Sequence, residues 1–222
     1  MLFTIITTLF LSVAILKVSA QVDKSVVEDY LIRVASAENV NVQMAWDIAK
    51  QHGVTREKFL EKFPAYAEAM LAFLQEGAKL ESLYQPINDA VSLVHLLKKR
   101  SDIALGIITG NVKRIADWKL DHAGLAGIIS FGVYGDEADD RNALAHVVFE
   151  KAQEAFHQIF SPHTIVVIGD TVHDVRAGKA IGAMTIAVTT GYHGDRGPLL
   201  VEKPDLLADS LMEKPVRDIF GV

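Results

Sequence analysis

The chain has 222 residues, half of them hydrophobic and 23% charged, with a net charge of −6. That balance is ordinary for a globular protein, and the length allows one large domain or two unequal ones. No basic run points to nucleic acid, and the lack of cysteine excludes disulfides and thiolate metal sites while leaving the compartment open.

The first residues admit two readings. Met1 to Leu16 carries no charge, Lys17 follows, and Val18-Ser-Ala20 precedes Gln21. The length and the small-residue ending resemble a signal peptide, yet the positive n-region is missing and the run is too short and threonine-rich for a membrane span. Read as fold, Leu2 to Leu9 is a buried central strand of a cytoplasmic protein. The alternative is an exported protein in which residues 1–20 are removed.

From Val13 to Leu83 the apolar residues recur at helical spacing, among them Val26, Tyr30 and Val34, then Ala45, Ile48 and Ala49. Gly53 and Thr55 mark a break and an N-cap, and a second face through Phe59, Phe63, Met70 and Leu74 ends at Gly77. Pro86 opens a helix whose last turn carries Lys98-Lys-Arg100. Ile103 to Ile108 is a strand ending in Thr109-Gly110-Asn111, and Lys113 to Leu120 a helix. Phe131 to Tyr134 is a short strand, followed by the acidic loop Gly135-Asp-Glu-Ala-Asp-Asp140 and a helix led by Arg141.

The most particular stretch is Thr164 to Val188. Ile165 to Ile168 is an unbroken apolar run, as in a strand buried on both faces. Gly169 turns the backbone, Asp170 and Asp174 follow four residues apart, Val175 to Ile181 is a short helix closed by Gly182, and Met184 to Val188 is the next strand. This βαβ unit sets two carboxylates at the carboxyl end of a parallel strand, where ligands bind in open α/β sheets. Two hard oxygen donors there suit Mg²⁺. The plainer reading has Asp170 capping the helix and Asp174 as a solvated first-turn acid.

Gly169-Asp170-x-x-x-Asp174 followed by Arg176-Ala-Gly-Lys-Ala-Ile-Gly-Ala183, and running on to Thr190-Gly-Tyr192, resembles the metal-binding motif of the haloacid dehalogenase superfamily, in particular its phosphoglycolate-phosphatase-like members. The resemblance implies a doubly wound, mostly parallel Rossmann-like α/β core over residues 1–12 and 84–222. An α-helical cap over residues 13–83 would be inserted into it. It implies phosphoryl transfer from a small phosphorylated metabolite with Mg²⁺ on Asp170 and Asp174. Thr109, Gly110 and Asn111 would grip the phosphoryl oxygens. Arg141 would neutralise charge, with Lys151 in reserve. His173 and His193 lie near enough in sequence to reach the site, and each reads more simply as a loop histidine. The cap side chains carry no motif that names the substrate.

The first strand departs from that pattern. The superfamily's first motif has the form Phe-Asp-x-Asp-Gly-Thr-Leu. Aligned on Phe3, Thr8 and Leu9, Thr4 takes the place of the nucleophilic aspartate, Ile6 that of the acid and Thr7 that of the glycine. Three expectations compete. One is a phosphatase family member altered upstream of about Gln21. Another is a non-catalytic relative that binds phosphate or a phosphorylated metabolite. The third is the exported form.

Overall fold

The computed structural model describes residues 2–6, 42–78, 86–137, 141–157, 160–191 and 195–222, with the backbone path alone for 2–6, 43, 44, 48, 73, 76–78, 141–145 and 149. Thr7 to Leu9, Val26 to Val34 and His193 therefore lie outside the described residues.

Two apolar runs anchor the sheet. β2 (Ile103–Ile108) and β4 (Ile165–Gly169) are buried at every position, as strands covered on both faces must be. β1 (Leu2–Ile6) runs between them, parallel to both. β3 (Phe131–Val133) extends the sheet beyond β2, and β5 (Met184–Val188) and β6 (Leu206–Ala208) extend it beyond β4. The order is β3-β2-β1-β4-β5-β6. The chain enters at the middle, builds outward on one side, then returns and builds on the other, so the reversal falls between β1 and β4.

Alternate residues of the same strands feed two different cores. On one face Leu105, Ile107, Val166 and Ile168 pack with α3 (Asn88–Leu97), α4 (Lys113–His122) and α8 (Lys214–Phe220). On the other, Ala104, Ile108, Ile165 and Val167 pack with α5 (Arg141–Phe156) and α6 (Val172–Ala180). α7 (Arg196–Val201) covers β5 through Leu199.

α1 (Val42–Gln51) and α2 (Arg56–Ala78) intervene in sequence between β1 and β2. Their break falls at Gly53 and Thr55, and the Thr55 hydroxyl accepts from the Lys58 N–H at 3.3 Å. Val42, Ala45, Phe59, Met70 and Leu74 bury each other together with Val112 and Ile115 at the head of α4. The architecture is thus a doubly wound parallel α/β core carrying a helical cap. Among the described residues no helix is long and apolar enough to cross a membrane.

Several boundaries differ from the sequence reading. α6 begins at Val172 rather than Val175, because Thr171 caps it. α3 begins at Asn88, two residues after Pro86. Ile219 and Phe220 close α8, which stops at Gly221 with φ +66°.

Candidate functional site

Because all neighbouring strands are parallel, their carboxyl ends share one edge. Thr109 follows the last residue of β2 and Asp170 the last of β4, so they stand on either side of β1, in the crevice where the strand order reverses. That is where an open α/β sheet binds its ligand.

Thr109 is held from three directions. Its N–H donates to the Val133 carbonyl at 3.0 Å, which ties it to β3. Its hydroxyl oxygen accepts from the Asn111 N–H at 3.2 Å and from Asn111 Nδ2 at 2.8 Å. With both lone pairs engaged, a Thr109 hydroxyl has its hydrogen left to give. Among the described residues the Gly110 N–H meets no acceptor, and buried Asn111 Oδ1 meets no donor. The cap reaches this loop: the Val42 N–H at the head of α1 donates to the Gly110 carbonyl at 3.0 Å.

The two aspartates do different jobs. Asp174, 1% exposed, forms a capping box with Thr171. Its Oδ2 accepts from the Thr171 N–H at 3.1 Å and the Thr171 hydroxyl at 2.7 Å, and its own N–H donates to Thr171 Oγ1 at 3.2 Å. Capping therefore falls to Thr171, and neither half of the plainer reading holds. Asp170, 3% exposed, is not the cap, and Asp174 is not solvated. The pattern Thr-x-x-Asp is the sequence signal that was available for this role.

Two glycines make room for these carboxylates. A Cβ on Gly169 would stand 2.2 Å from Asp174 Cβ and 2.4 Å from its carboxyl carbon. A Cβ on Gly191 would stand 1.7 Å from Asp170 Oδ2. Gly191 is thus the floor against which the Asp170 carboxylate rests, and only its membership in Thr190-Gly-Tyr192 hinted at it.

The remaining candidates are placed unequally. The register pairs Thr4 with Leu105 and Val166, and Ile6 with Ile107 and Ile168. Thr109 and Asp170 lie four residues past the partners of Thr4, about 13 Å along the sheet at 3.3 Å per residue. Thr4 therefore lies four residues below the level of Thr109 and Asp170, and Ile6 two residues below it. Arg141 begins α5, whose connection from β3 to the parallel β4 sets the helix N-terminus at the carboxyl edge. Lys151 lies ten residues further along α5 and is ion-paired with Glu137 in a groove of about 670 Å³ beside β3. His173 is on the exposed side of α6.

Mg²⁺ takes one or two protein carboxylates and fills its octahedron with water and phosphate. The donors present fit that need: one buried carboxylate at a strand end, facing a glycine rather than a side chain at Gly191, and a second beside it with one oxygen fixed by Thr171. Among the described residues no group of three or more acidic or histidine side chains could hold a metal by itself.

A family model described as haloacid dehalogenase-like hydrolase matches residues 14–182. A phosphoglycolate phosphatase of Vibrio vulnificus strain YJ016 is 28% identical over 145 residues, covering 64% of this chain and 58% of that protein. One from Pseudomonas fluorescens strain Pf0-1 is 25% identical over 185 residues, covering 82% and 59%. The chain thus spans about three fifths of the length of the curated relatives it matches. Among solved structures, a predicted phosphatase from Clostridium acetobutylicum superposes with a TM-score of 0.66 at 16% identity, covering 99% of this chain and 98% of that one. A predicted phosphoglycolate phosphatase from Haemophilus somnus 129pt gives 0.61 at 15%, covering 99% and 96%. With the family model matched across most of its length and the same fold recovered end to end, this chain belongs to the haloacid dehalogenase-like hydrolase family.

Proposed function

We propose that the crevice binds the phosphate of a small phosphorylated metabolite together with Mg²⁺, and that the chain as written holds this ligand far better than it hydrolyses it. The observation that carries this reading is the pairing of Thr109 and Asp170 across a β1 that has no acid. The first carboxylate in the chain is Asp23.

Hydrolysis in this family needs a carboxylate oxygen to bond phosphorus while the ester oxygen leaves with a proton, and water then to cleave the aspartyl-phosphate. The groups proposed to stabilise charge lie along or beside the carboxyl edge of the sheet. The Thr109 hydroxyl and Gly110 N–H would offer donors to phosphoryl oxygens, Arg141, first residue of α5, would supply a guanidinium, and Asp170, supported by Asp174, would hold the metal. Mg²⁺ there would neutralise charge on the phosphoryl oxygens. Without an acid in the β1 segment neither the attack nor protonation of the leaving group has a donor, and loss of the proton donor alone costs about 10²–10⁴-fold.

The second reading is a working phosphatase acting on phosphoglycolate or a similar ester, favoured by the completeness of the charge-stabilising half. Calorimetry with inorganic phosphate, with and without MgCl₂, and a turnover assay with p-nitrophenyl phosphate and 2-phosphoglycolate separate the two. We expect Mg²⁺-dependent phosphate binding with turnover at least 10³-fold under an ordinary enzyme's rate of about 1–10³ s⁻¹. Ordinary turnover establishes the second reading, and absence of both binding and turnover refutes both.

A further inference from the structure

We infer that Asp89 and Thr190 are positioning residues for Asp170, coupling the segment that returns from the cap to the candidate metal site. The inference rests on the reading of Asp170 as the principal metal ligand.

Asp89 sits in the first turn of α3, just after Pro86. Its carboxylate gathers two distant segments. Oδ2 accepts from the Ser210 hydroxyl and the Leu211 N–H, both at 2.9 Å. The Thr190 hydroxyl donates to the same carboxylate, at 3.1 Å to Oδ2 and 3.4 Å to Oδ1. A carboxylate can take several donors at once, so Asp89 is the common acceptor for the loop after β5 and the loop after β6.

The loop after β5 is fixed on its other side as well. The Thr189 N–H donates to the Ala208 carbonyl at 3.1 Å, and its hydroxyl to Asp209 Oδ1 at 2.9 Å. Thr189 is thereby tied to β6 and Thr190 to α3. The next residue, Gly191, rests on the Asp170 carboxylate, since an added Cβ would reach to 1.7 Å of Oδ2 and 2.2 Å of the carboxyl carbon. A shift of Thr190 by a few tenths of an ångström is transmitted to Asp170 because no side chain intervenes to absorb it. Asp170 follows directly from a fully buried strand, so its backbone has little freedom, and the Gly191 floor limits where its carboxylate can turn. The path from cap to metal ligand is then Pro86, Asp89, Thr190, Gly191, Asp170.

Outer groups that orient a metal ligand typically govern 10–100-fold of metal affinity. For a group acting through one intervening residue we expect about tenfold. The test uses the full chain and the variants Asp89→Ala, Thr190→Val and Ser210→Ala. Ser210→Ala removes one donor from Asp89 without cutting the link to Gly191. Two readouts are taken. The ¹³Cγ chemical shifts of Asp170 and Asp174 and the exchange rate of the Gly191 amide are measured without metal, and Mn²⁺ affinity is measured by electron paramagnetic resonance.

Asp89→Ala and Thr190→Val should move the Asp170 signal, leave that of Asp174 in place, speed Gly191 exchange and weaken Mn²⁺ about tenfold. Ser210→Ala should lower the melting temperature with the Asp170 signal unmoved. If Asp89→Ala and Thr190→Val lower the melting temperature while the Asp170 signal stays as in the unmodified chain, the residues only brace the fold and the inference is overturned. If the unmodified chain fails to bind Mn²⁺, the metal reading falls, and the metal-free Asp170 and Gly191 signals still decide the positioning.

Discussion

Replacing Gly169 with alanine tests the account of how the two carboxylates fit. The new methyl would stand 2.2 Å from Asp174 Cβ and 2.4 Å from both its carboxyl carbon and Oδ2. Ordinary van der Waals contact begins near 3.4 Å, so about 1.2 Å of movement is needed. Asp174 cannot swing clear. The nearest atom is its Cβ, fixed by the backbone, and its carboxylate and N–H are both bonded to Thr171. Overpacking of this kind costs about 1–3 kcal/mol, and loss of the cap adds about 0.5–2 kcal/mol. The sum, about 1.5–5 kcal/mol, corresponds in a domain of this size to a drop in melting temperature of about 3–20 °C. Gly182→Ala is the comparator. Its φ is +70°, its nearest neighbour is Pro162 Cβ at 3.4 Å, and its cost is backbone strain alone, about 1 kcal/mol. Urea denaturation followed by circular dichroism measures both. A Gly169→Ala midpoint equal to or above that of Gly182→Ala, at unchanged m-value, would refute the crowding argument.

Lys119 is 2% exposed on α4, and burial pushes its ammonium down to about 8. Above pH 8 the folded chain gives up a proton that the unfolded chain keeps to about 10.5, so stability should rise across that window by on the order of 3 kcal/mol. Lys119→Met should lack the rise, and a flat pH profile for the unmodified chain contradicts the buried ammonium. Asp205 accepts from the Thr185 N–H at 2.7 Å and its hydroxyl at 2.8 Å. Burial pushes its carboxyl up, the Thr185 bonds more than offset this, and the net shift is downward. Asp205 therefore contributes stability that is lost as pH falls through its lowered value. Asp205→Ala should cost about 1–3 kcal/mol at neutral pH, chiefly by orphaning two Thr185 donors, and the difference should shrink in acid; a constant difference down to pH 2 speaks against it. For phosphate binding, Arg141→Ala should weaken affinity at least about tenfold, the worth of a charge-assisted bond. Lys151→Ala, already paired with Glu137, should stay within about twofold, and the reverse ranking in calorimetry exchanges their roles.

How much of the fold was legible depended on whether an element's signal is local. β2 and β5 can be read to the residue from unbroken apolar runs, one ending at Thr109-Gly110 and one at Thr189-Thr190. The break between α1 and α2 is equally local, because glycine and an N-capping threonine terminate and start helices wherever they stand. α8 was hidden because Lys214–Phe220 is short and buries only Val216 and Phe220, too few positions to show a period. The start of α6 was hidden for a different reason. Apolar spacing begins at Val175, while the helix begins where Thr171 and Asp174 satisfy each other's donors, and that is a side-chain contact rather than a periodicity.

The site shows the same division more sharply. Thr109 and Asp170 each directly follow a readable strand, so their meeting at one edge of the sheet could be expected from the sequence, and Asp174 follows on the first turn of α6. What residue identity could not supply is the depth of β1. Aligning Phe3, Thr8 and Leu9 to a motif fixes a correspondence of letters, whereas depth is fixed by which carbonyls of β2 and β4 the β1 amides meet. That pairing sets Thr4 beside Leu105 and Val166, in the body of a sheet whose neighbouring strands are buried throughout. A carboxylate introduced at Thr4 would be flanked by two fully buried apolar strands and set about 13 Å from the partners that could offset its charge. An acid proposed to complete this site has to come level with Thr109 and Asp170, and by the register that level lies beyond Ile6, the last described residue of β1. Strand register, more than the match of the first motif, determines which position in the chain could be a nucleophile.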